Sequence, residues 1–405
     1  MSAENAALDP AIQAELERFR RGAVDLIDER QLAQRLSQAR AEGRPLRVKF
    51  GMDPSSPDLH LGHAVQLMKL RDVQEMGHQV VLIVGVSTAM VGDPSGRNAL
   101  RPQLTREQVE VNLQTYLDQV GCLLDLERTE VRRNSEWFDA MDFGAVMQLC
   151  GRMTVAQMLE RDTFQKRIRE NAPIGIHEFL YPLMQGWDSV EVKADIELGG
   201  SDQLFNLHVG RDFMASEGLP PQILLTQPLI EGSDGRKMSK SYGNAIGLTE
   251  PPNEVFGKVM AIADEPMRTW FVYLTRVELE EIETLLAGNP RDAKDRLAWE
   301  ITRLLHGAAA ADEARAHFDR TVRNKELPDD IPEHAWPSED SLPLFVLLRE
   351  LGLAGSSGEG RRLVSQGGVR VGGEVKSDPA ERLEPPSEEL LIQVGKRRFA
   401  KVRPR

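Results

Sequence analysis

Two short segments carry the residue types best able to do chemistry. The first is His60-Leu61-Gly62-His63, which follows a Pro/Ser turn at 53–58 and opens a stretch of helical spacing through Val65, Met68, Val73 and Met76. Two histidines at i and i+3 share one face of a first helical turn, the glycine between them clears a ligand's path, and unpaired N–H groups at a helix start attract anions. Such a turn suits phosphates. The second is Lys237-Met238-Ser239-Lys240-Ser241, preceded by Gly232, Asp234 and Gly235. A hydrophilic, glycine-containing loop with two lysines three apart can swing positive charge onto a polyphosphate. Each has a plainer reading when taken singly: capping or packing histidines at a surface helix, and a solvated loop.

The elements around these segments can be read from periodicity. Residues 46–52 form a strand-like run, the helix from Leu61 stops at Gly77 in the C′ position, and 80–85 is a second apolar run. Strand, helix and strand in that order make a βαβ crossover, the unit of a parallel sheet covered by helices. The spacing predicts helix over 11–42, 106–121 and 140–161, and strand over 190–198 and 223–230. The first part of the chain is therefore expected to be a doubly wound, Rossmann-like α/β domain, 1–248, followed by an all-α domain, 249–327. Pro328, Pro332, Pro337 and Pro343 among acidic residues mark 328–343 as a linker. A small α+β unit, 344–405, ends the chain, with a Gly-rich turn at 367–373.

Composition excludes several classes. With 41 % hydrophobic and 28 % charged residues over 405 positions, this is a globular chain of two or three domains. The longest apolar run, 80–91, is broken by Gly85, Ser87 and Thr88 and falls short of the roughly 20 residues that span a bilayer. The start, MSAENAALDP, lacks the layout of a signal peptide, so the expected location is cytoplasmic, with no membrane. Cys122 and Cys150, without CxxC or a histidine cluster, read as buried free thiols, and no metal site is expected. The net charge of −13 opposes contact with nucleic acid, yet 341–405 holds twelve Lys or Arg against eight Asp or Glu. That end can meet a polyanion.

In combination the HLGH and KMSKS segments resemble the two nucleotide signatures of the class I aminoacyl-tRNA synthetases. Over nearly all its length the chain is similar to the tyrosyl branch of that family. VGDPSGR (91–97), YPLMQGWD (181–188), GGSDQ (199–203) and GEGRRLVSQGGVRVGG (358–373) carry the narrower match, the last resembling an RNA-binding domain of a small-subunit ribosomal protein. The resemblance implies activation of L-tyrosine by ATP with Mg²⁺, transfer to the 3′ end of tRNA(Tyr), and a homodimer. It implies that His60 and His63 bind the phosphate chain, that Lys237 and Lys240 draw pyrophosphate away, and that Arg97 and Arg101 are further mobile cations. For tyrosine it implies that Asp188 accepts the phenolic hydrogen and that Asp93, Tyr181 and Gln185 hold the α-ammonium, with Gln203 a further substrate contact. Asp53, Gly62, Gly200, Asp202, Met238 and Lys240 would contact ATP. Arg361, Arg362, Arg370, Lys396 and Arg397, with Arg398 and Lys401, would contact tRNA backbone.

One position departs from the pattern. Where many tyrosyl enzymes have a tyrosine sharing the phenol contact, this chain has Lys49, which leaves the second partner of the substrate hydroxyl open. Two other readings follow from the same residues: a sister adenylyl-transferring enzyme, such as a tryptophanyl one, or an RNA-binding protein that kept the fold after losing catalysis. GGSDQ, Asp188 and the basic end argue against the first, and intact HLGH and KMSKS against the second.

Overall fold

The computed structural model describes residues 9–95, 104–239, 242–323, 331–338, 340–395 and 398–404, and the chain divides into two compact units, 1–315 and 316–405. In the first, strands β1 (Asp25–Ile27), β2 (Arg47–Met52), β3 (Gln79–Val84), β4 (Thr129–Arg133), β5 (Ile196–Gly200) and β6 (Ile223–Gln227) form one sheet in the order β1-β6-β5-β2-β3-β4. All pairings are parallel except β1 with β6. Starting from β2, the chain winds outward through β3 and β4, then returns to build β5 and β6 on the other side. The order reverses between β2 and β5, where a crevice opens at the carboxyl ends of a doubly wound sheet.

Helices cover both faces of the central strands, so β5 and β6 are buried at every position, although β2 carries Lys49 and β5 Glu197 among their apolar residues. The expected single helix over 11–42 is two helices, Pro10–Arg20 and Glu29–Glu42, with β1 between them. Gly22 adopts φ +70°, and Asp28 caps the second helix by accepting from the amides of Arg30 and Gln31. Likewise the expected helix over 140–161 breaks after Cys150, and Thr154 caps a new turn at Val155–Met158. The helix Leu180–Val192 continues into the stretch expected as strand, stopping where Lys193 takes a left-handed conformation. Cys122 is exposed and Cys150 half-buried, so neither is the buried thiol expected.

Five helices, Pro252–Met260, Met267–Leu274, Leu279–Ala287, Pro290–His306 and Ala308–Phe318, follow. Those up to His306 lie in the first unit, with the Trp270 indole donating to the Glu231 carbonyl at 3.0 Å and Arg276 reaching Asp72.

The second unit has a five-stranded sheet, in the order Glu374–Lys376, Val369–Val371, Leu390–Val394, Arg398–Arg403 and Glu333–Ala335, backed by helices Leu344–Glu350 and Ser357–Ser365. Gly372 and Gly373 at positive φ close the hairpin between the first two of these strands. The stretch 331–343, expected to be linker, belongs to this unit. Glu333–Ala335 is an edge strand, and Trp336 is buried against Leu344, Leu347 and Val402. Prolines on either side end the strand without preventing it. No described helix is long and apolar enough to cross a membrane.

Candidate active site

The turn after β2 and the start of the next helix form the floor of the site. His60 is the N-cap of helix Leu61–Glu75, and its Nδ1 accepts from the Gly62 amide at 3.1 Å, while His63 Nδ1 accepts from the His60 amide at 3.2 Å. The two imidazoles lie 4.1 Å apart, at the positive end of the helix. A side chain at Gly62 would put its Cβ 2.8 Å from His60 Cε1, so only glycine leaves this turn its shape.

The second signature loop comes to the same place. The Gly62 amide lies 3.2 Å from Met238 Sδ, the Leu61 amide donates to the Ile246 carbonyl at 2.9 Å, and His60 pairs with Gly247 across a short β-bridge. The loop between is braced internally: Asn244 accepts from the Ser239 amide at 2.8 Å and donates to Asp234 at 2.6 Å. Asp202, after β5, has its pKa raised by burial, and the positive charge of Lys237 opposes that rise. Lys237 therefore acts electrostatically on the same crevice as the histidines. Lys240, Arg97 and Arg101 lie outside the described residues.

On the other wall, Tyr181, Gln185 and Asp188 recur at helical spacing on Leu180–Val192 and so share one face. Tyr181 donates to Asp53 Oδ2 at 2.9 Å, and burial raises its pKa well above the ordinary tyrosine value, with the Asp53 charge adding to the effect. Thr88 donates to the other oxygen of Asp53 at 2.8 Å. Gly85 makes this packing possible, since a Cβ there would sit 1.9 Å from Asp53 Oδ1. Asp93 Oδ1 accepts from the Ser95 amide at 2.8 Å, and its Oδ2 accepts from Gln203 Nε2 at 2.9 Å. Asn206 donates to the side-chain oxygens of both Gln185 and Gln203, each at 2.8 Å, and so orients the pair.

Asp188 is only 3 % exposed. Burial raises its pKa to about 7, against the pull of Lys49 and the hydrogen bonds from Trp137 Nε1 at 3.0 Å and Asn134 Nδ2 at 3.5 Å. A buried carboxyl that titrates near 7 is part protonated and part ionised at neutral pH, and only its ionised form can accept a hydrogen from a hydroxyl.

The structure thus brings His60, Gly62, His63 and Met238 together, joins Asp53 to Tyr181, and joins Asp93 to Gln203. Gly200 ends β5 and delivers Asp202 to the same edge of the sheet. In the second unit Arg361 lies over the Phe345 ring at 4.2 Å, and Arg362 and Arg370 are exposed. Lys396 and Arg397 lie outside the described residues.

Several residues of the site escaped the sequence reading. Arg161, buried against Phe164 and Phe205, donates to Ser95 Oγ and stands 3.6 Å from Asp93. Thr88, Asn134, Trp137 and Asn206 complete the polar lining. Glu197 could have been singled out with Lys49, because it too is a charge in a strand whose positions are buried.

A family model described as tRNA synthetases class I (W and Y) matches residues 41–323, and an S4 domain model matches 342–390. A tyrosine–tRNA ligase of Bordetella avium is 47 % identical over 99 % of both chains. One from Thermotoga maritima is 50 % identical over 95 % of this chain and 96 % of that protein. Among solved structures, the fold is similar to tyrosyl-tRNA synthetase of Archaeoglobus fulgidus complexed with L-tyrosine, with a TM-score of 0.61 and 23 % identity over 75 % of this chain and 99 % of that one. With the family model covering 41–323 and a relative 47 % identical along 99 % of both chains, the chain belongs to the class I tRNA synthetases of the W and Y group.

Proposed function

We propose that this chain is a tyrosine–tRNA ligase. The observation that carries the reading is the meeting of the two signature segments at one helix start, Gly62 amide against Met238 Sδ, beside a face bearing Tyr181, Gln185 and Asp188. The tyrosine carboxylate attacks the α-phosphorus of ATP, the bond to the bridging oxygen breaks, and pyrophosphate leaves with tyrosyl-adenylate behind it. A hydroxyl of the terminal ribose of tRNA(Tyr) then takes the tyrosyl group, releasing AMP. Neither step requires a nucleophile from the protein, so catalysis comes from positioning and from neutralising charge on the transferring and leaving phosphates.

In that scheme His60 and His63 hold the phosphate chain at the helix start, and Lys237 with Lys240, Arg97 and Arg101 supplies cations to the pyrophosphate. Asp53, Gly62, Gly200, Asp202 and Met238 frame the nucleotide. Asp93, Tyr181, Gln185 and Gln203 hold the ammonium end of tyrosine, and Asp188 accepts from its phenol. Phenylalanine would leave the buried Asp188 carboxylate without that donor, at a cost of about 1–3 kcal/mol or more. Mg²⁺ belongs to the substrate in this reading and would travel with the triphosphate. Among the described residues no cluster of three or more His, Cys, Asp or Glu could hold an ion by itself.

The same proposal includes a homodimer, a cytoplasmic location where ATP and tRNA are at hand, and contact between tRNA and the basic face carrying Arg361, Arg362 and Arg370. Large apolar side chains stand exposed between residues 143 and 176, with Phe143 at 80 % and Ile176 at 85 %, and a second copy of the chain is the partner proposed to cover them. The domain reading proposed is a nucleotide-binding domain to about residue 248, a helical one after it, and the S4-type unit at the end. The deciding assay is ATP–pyrophosphate exchange with a panel of amino acids. Tyrosine should drive it and phenylalanine and tryptophan should not; equal exchange with either would overturn the assignment.

A further inference from the structure

Lys49 on β2 and Glu197 on β5 stand opposite each other in register, at the point where the strand order reverses. Both are buried, and their charged groups meet at 2.9 Å. An ammonium has three hydrogens. Those of Lys49 have three acceptors: Glu197 Oε1, the Gln185 carbonyl at 2.8 Å and Ser189 Oγ at 2.8 Å. None is left for a substrate hydroxyl, so Lys49 does not take the place of the tyrosine found at this position in other members of the family.

Its partners suggest a different task. Gln185 and Ser189 are one helical turn apart on Leu180–Val192, and Asp188 lies between them in sequence. Glu197 binds the same turn again, accepting from Gln185 Nε2 at 3.2 Å and from Ser189 Oγ at 3.1 Å. Gln222 on the approach to β6 holds the second oxygen of Glu197. The sheet therefore grips this turn through two charges, at Gln185 itself and at Ser189 next to Asp188. A rotation of the helix by a fraction of a turn would carry Gln185 and Asp188 off their target together.

We propose that Lys49, paired with Glu197, is a positioning and specificity-determining residue for the amino acid: it fixes the rotation of the Leu180–Val192 helix without touching the substrate. The inference rests on the reading of this site as a tyrosine pocket. The charge of Lys49 also draws the Asp188 carboxyl toward its ionised, hydrogen-accepting form. A structural ion pair alone would have no reason to favour one amino acid over another.

The test uses the full-length protein and the variants Lys49→Met, Glu197→Gln and the double variant, with kcat and KM for ATP, tyrosine and phenylalanine measured by pyrophosphate exchange. Lys49→Met should raise the tyrosine KM and narrow the tyrosine-to-phenylalanine ratio of kcat/KM by about tenfold, with the ATP KM unchanged. The double variant removes both charges and should regain thermal stability lost by the single ones, yet keep the narrowed ratio. A folded double variant with wild-type tyrosine KM and ratio overturns the proposal. Should the charge variants fail to fold, Ser189→Ala decides, since it deletes one acceptor and leaves both charges. A raised tyrosine KM at constant ATP KM supports the proposal, and unchanged constants sink it. If the unaltered protein itself exchanges as well with another amino acid as with tyrosine, it is the functional reading that has failed.

Discussion

Replacing Asp188 by asparagine should make the protein more stable and a poorer enzyme, and the gain in stability should grow with pH. The buried carboxyl has its pKa raised from 3.8 to about 7, chiefly by burial. Because the folded value lies above the unfolded one, the fold holds the proton more tightly, and the cost of burying the ionised form appears only as pH rises. It is absent well below pH 4, reaches about 2 kcal/mol at pH 5, and levels off near 4 kcal/mol above pH 7, at about 1.4 kcal/mol for each pH unit between the two pKa values. An amide carries no charge at any pH, and its oxygen still accepts from the Trp137 indole. Asp188→Asn should therefore stabilise the chain by about 4 kcal/mol at pH 8 and about 2 kcal/mol at pH 5, read from urea unfolding followed by tryptophan fluorescence. In exchange assays the same variant should lose tyrosine selectivity, and the unaltered enzyme should show a tyrosine KM about tenfold higher at pH 6 than at pH 8, as the accepting carboxylate is protonated away. Equal stabilisation at the two pH values, or a loss of stability at pH 8, would refute the reasoning.

Two further expectations concern surfaces. Phe143→Arg with Ile176→Arg should convert a dimer to a monomer in sedimentation experiments, and an unchanged mass would remove the exposed apolar stretch from consideration as the interface. Arg361→Glu with Arg370→Glu should leave pyrophosphate exchange intact while weakening tRNA charging. It should also flatten the salt dependence of tRNA binding by about 1 to 2 in slope; the same slope in variant and parent would rule out contact through these arginines.

The parts of the fold legible from sequence were those with a strong local period. β3 is a continuous apolar run from Val80 to Val84, β2 and β6 are short strand-like runs, and the helix from Leu61 carries both its start and its stop in nearby residues. β1 is three residues long and joins the sheet only through β6, so its apolar residues passed as helix. β4, Thr-Glu-Val-Arg-Arg at the opposite edge, has too few buried positions to show a pattern. The site divides the same way. His60, Gly62, His63 and Met238 sit in compact motifs, whereas their supports come from far along the chain: Arg161 reaches Ser95 across 66 positions and Trp137 reaches Asp188 across 51. Such pairings are settled by the winding of the sheet, and no window of sequence contains both partners. Trp336 shows the reverse error, since prolines around it suggested a linker although the indole is buried in a core.

The segment bearing Lys237 is fastened at both feet, by the Trp270 indole on the Glu231 carbonyl and by the Leu61 amide on that of Ile246. A strip of chain so tethered can rock but cannot drift. Lys237 is thereby kept near the helix start, and part of the orientational freedom that it would otherwise surrender to each incoming nucleotide has already been given up once, when the polypeptide folded.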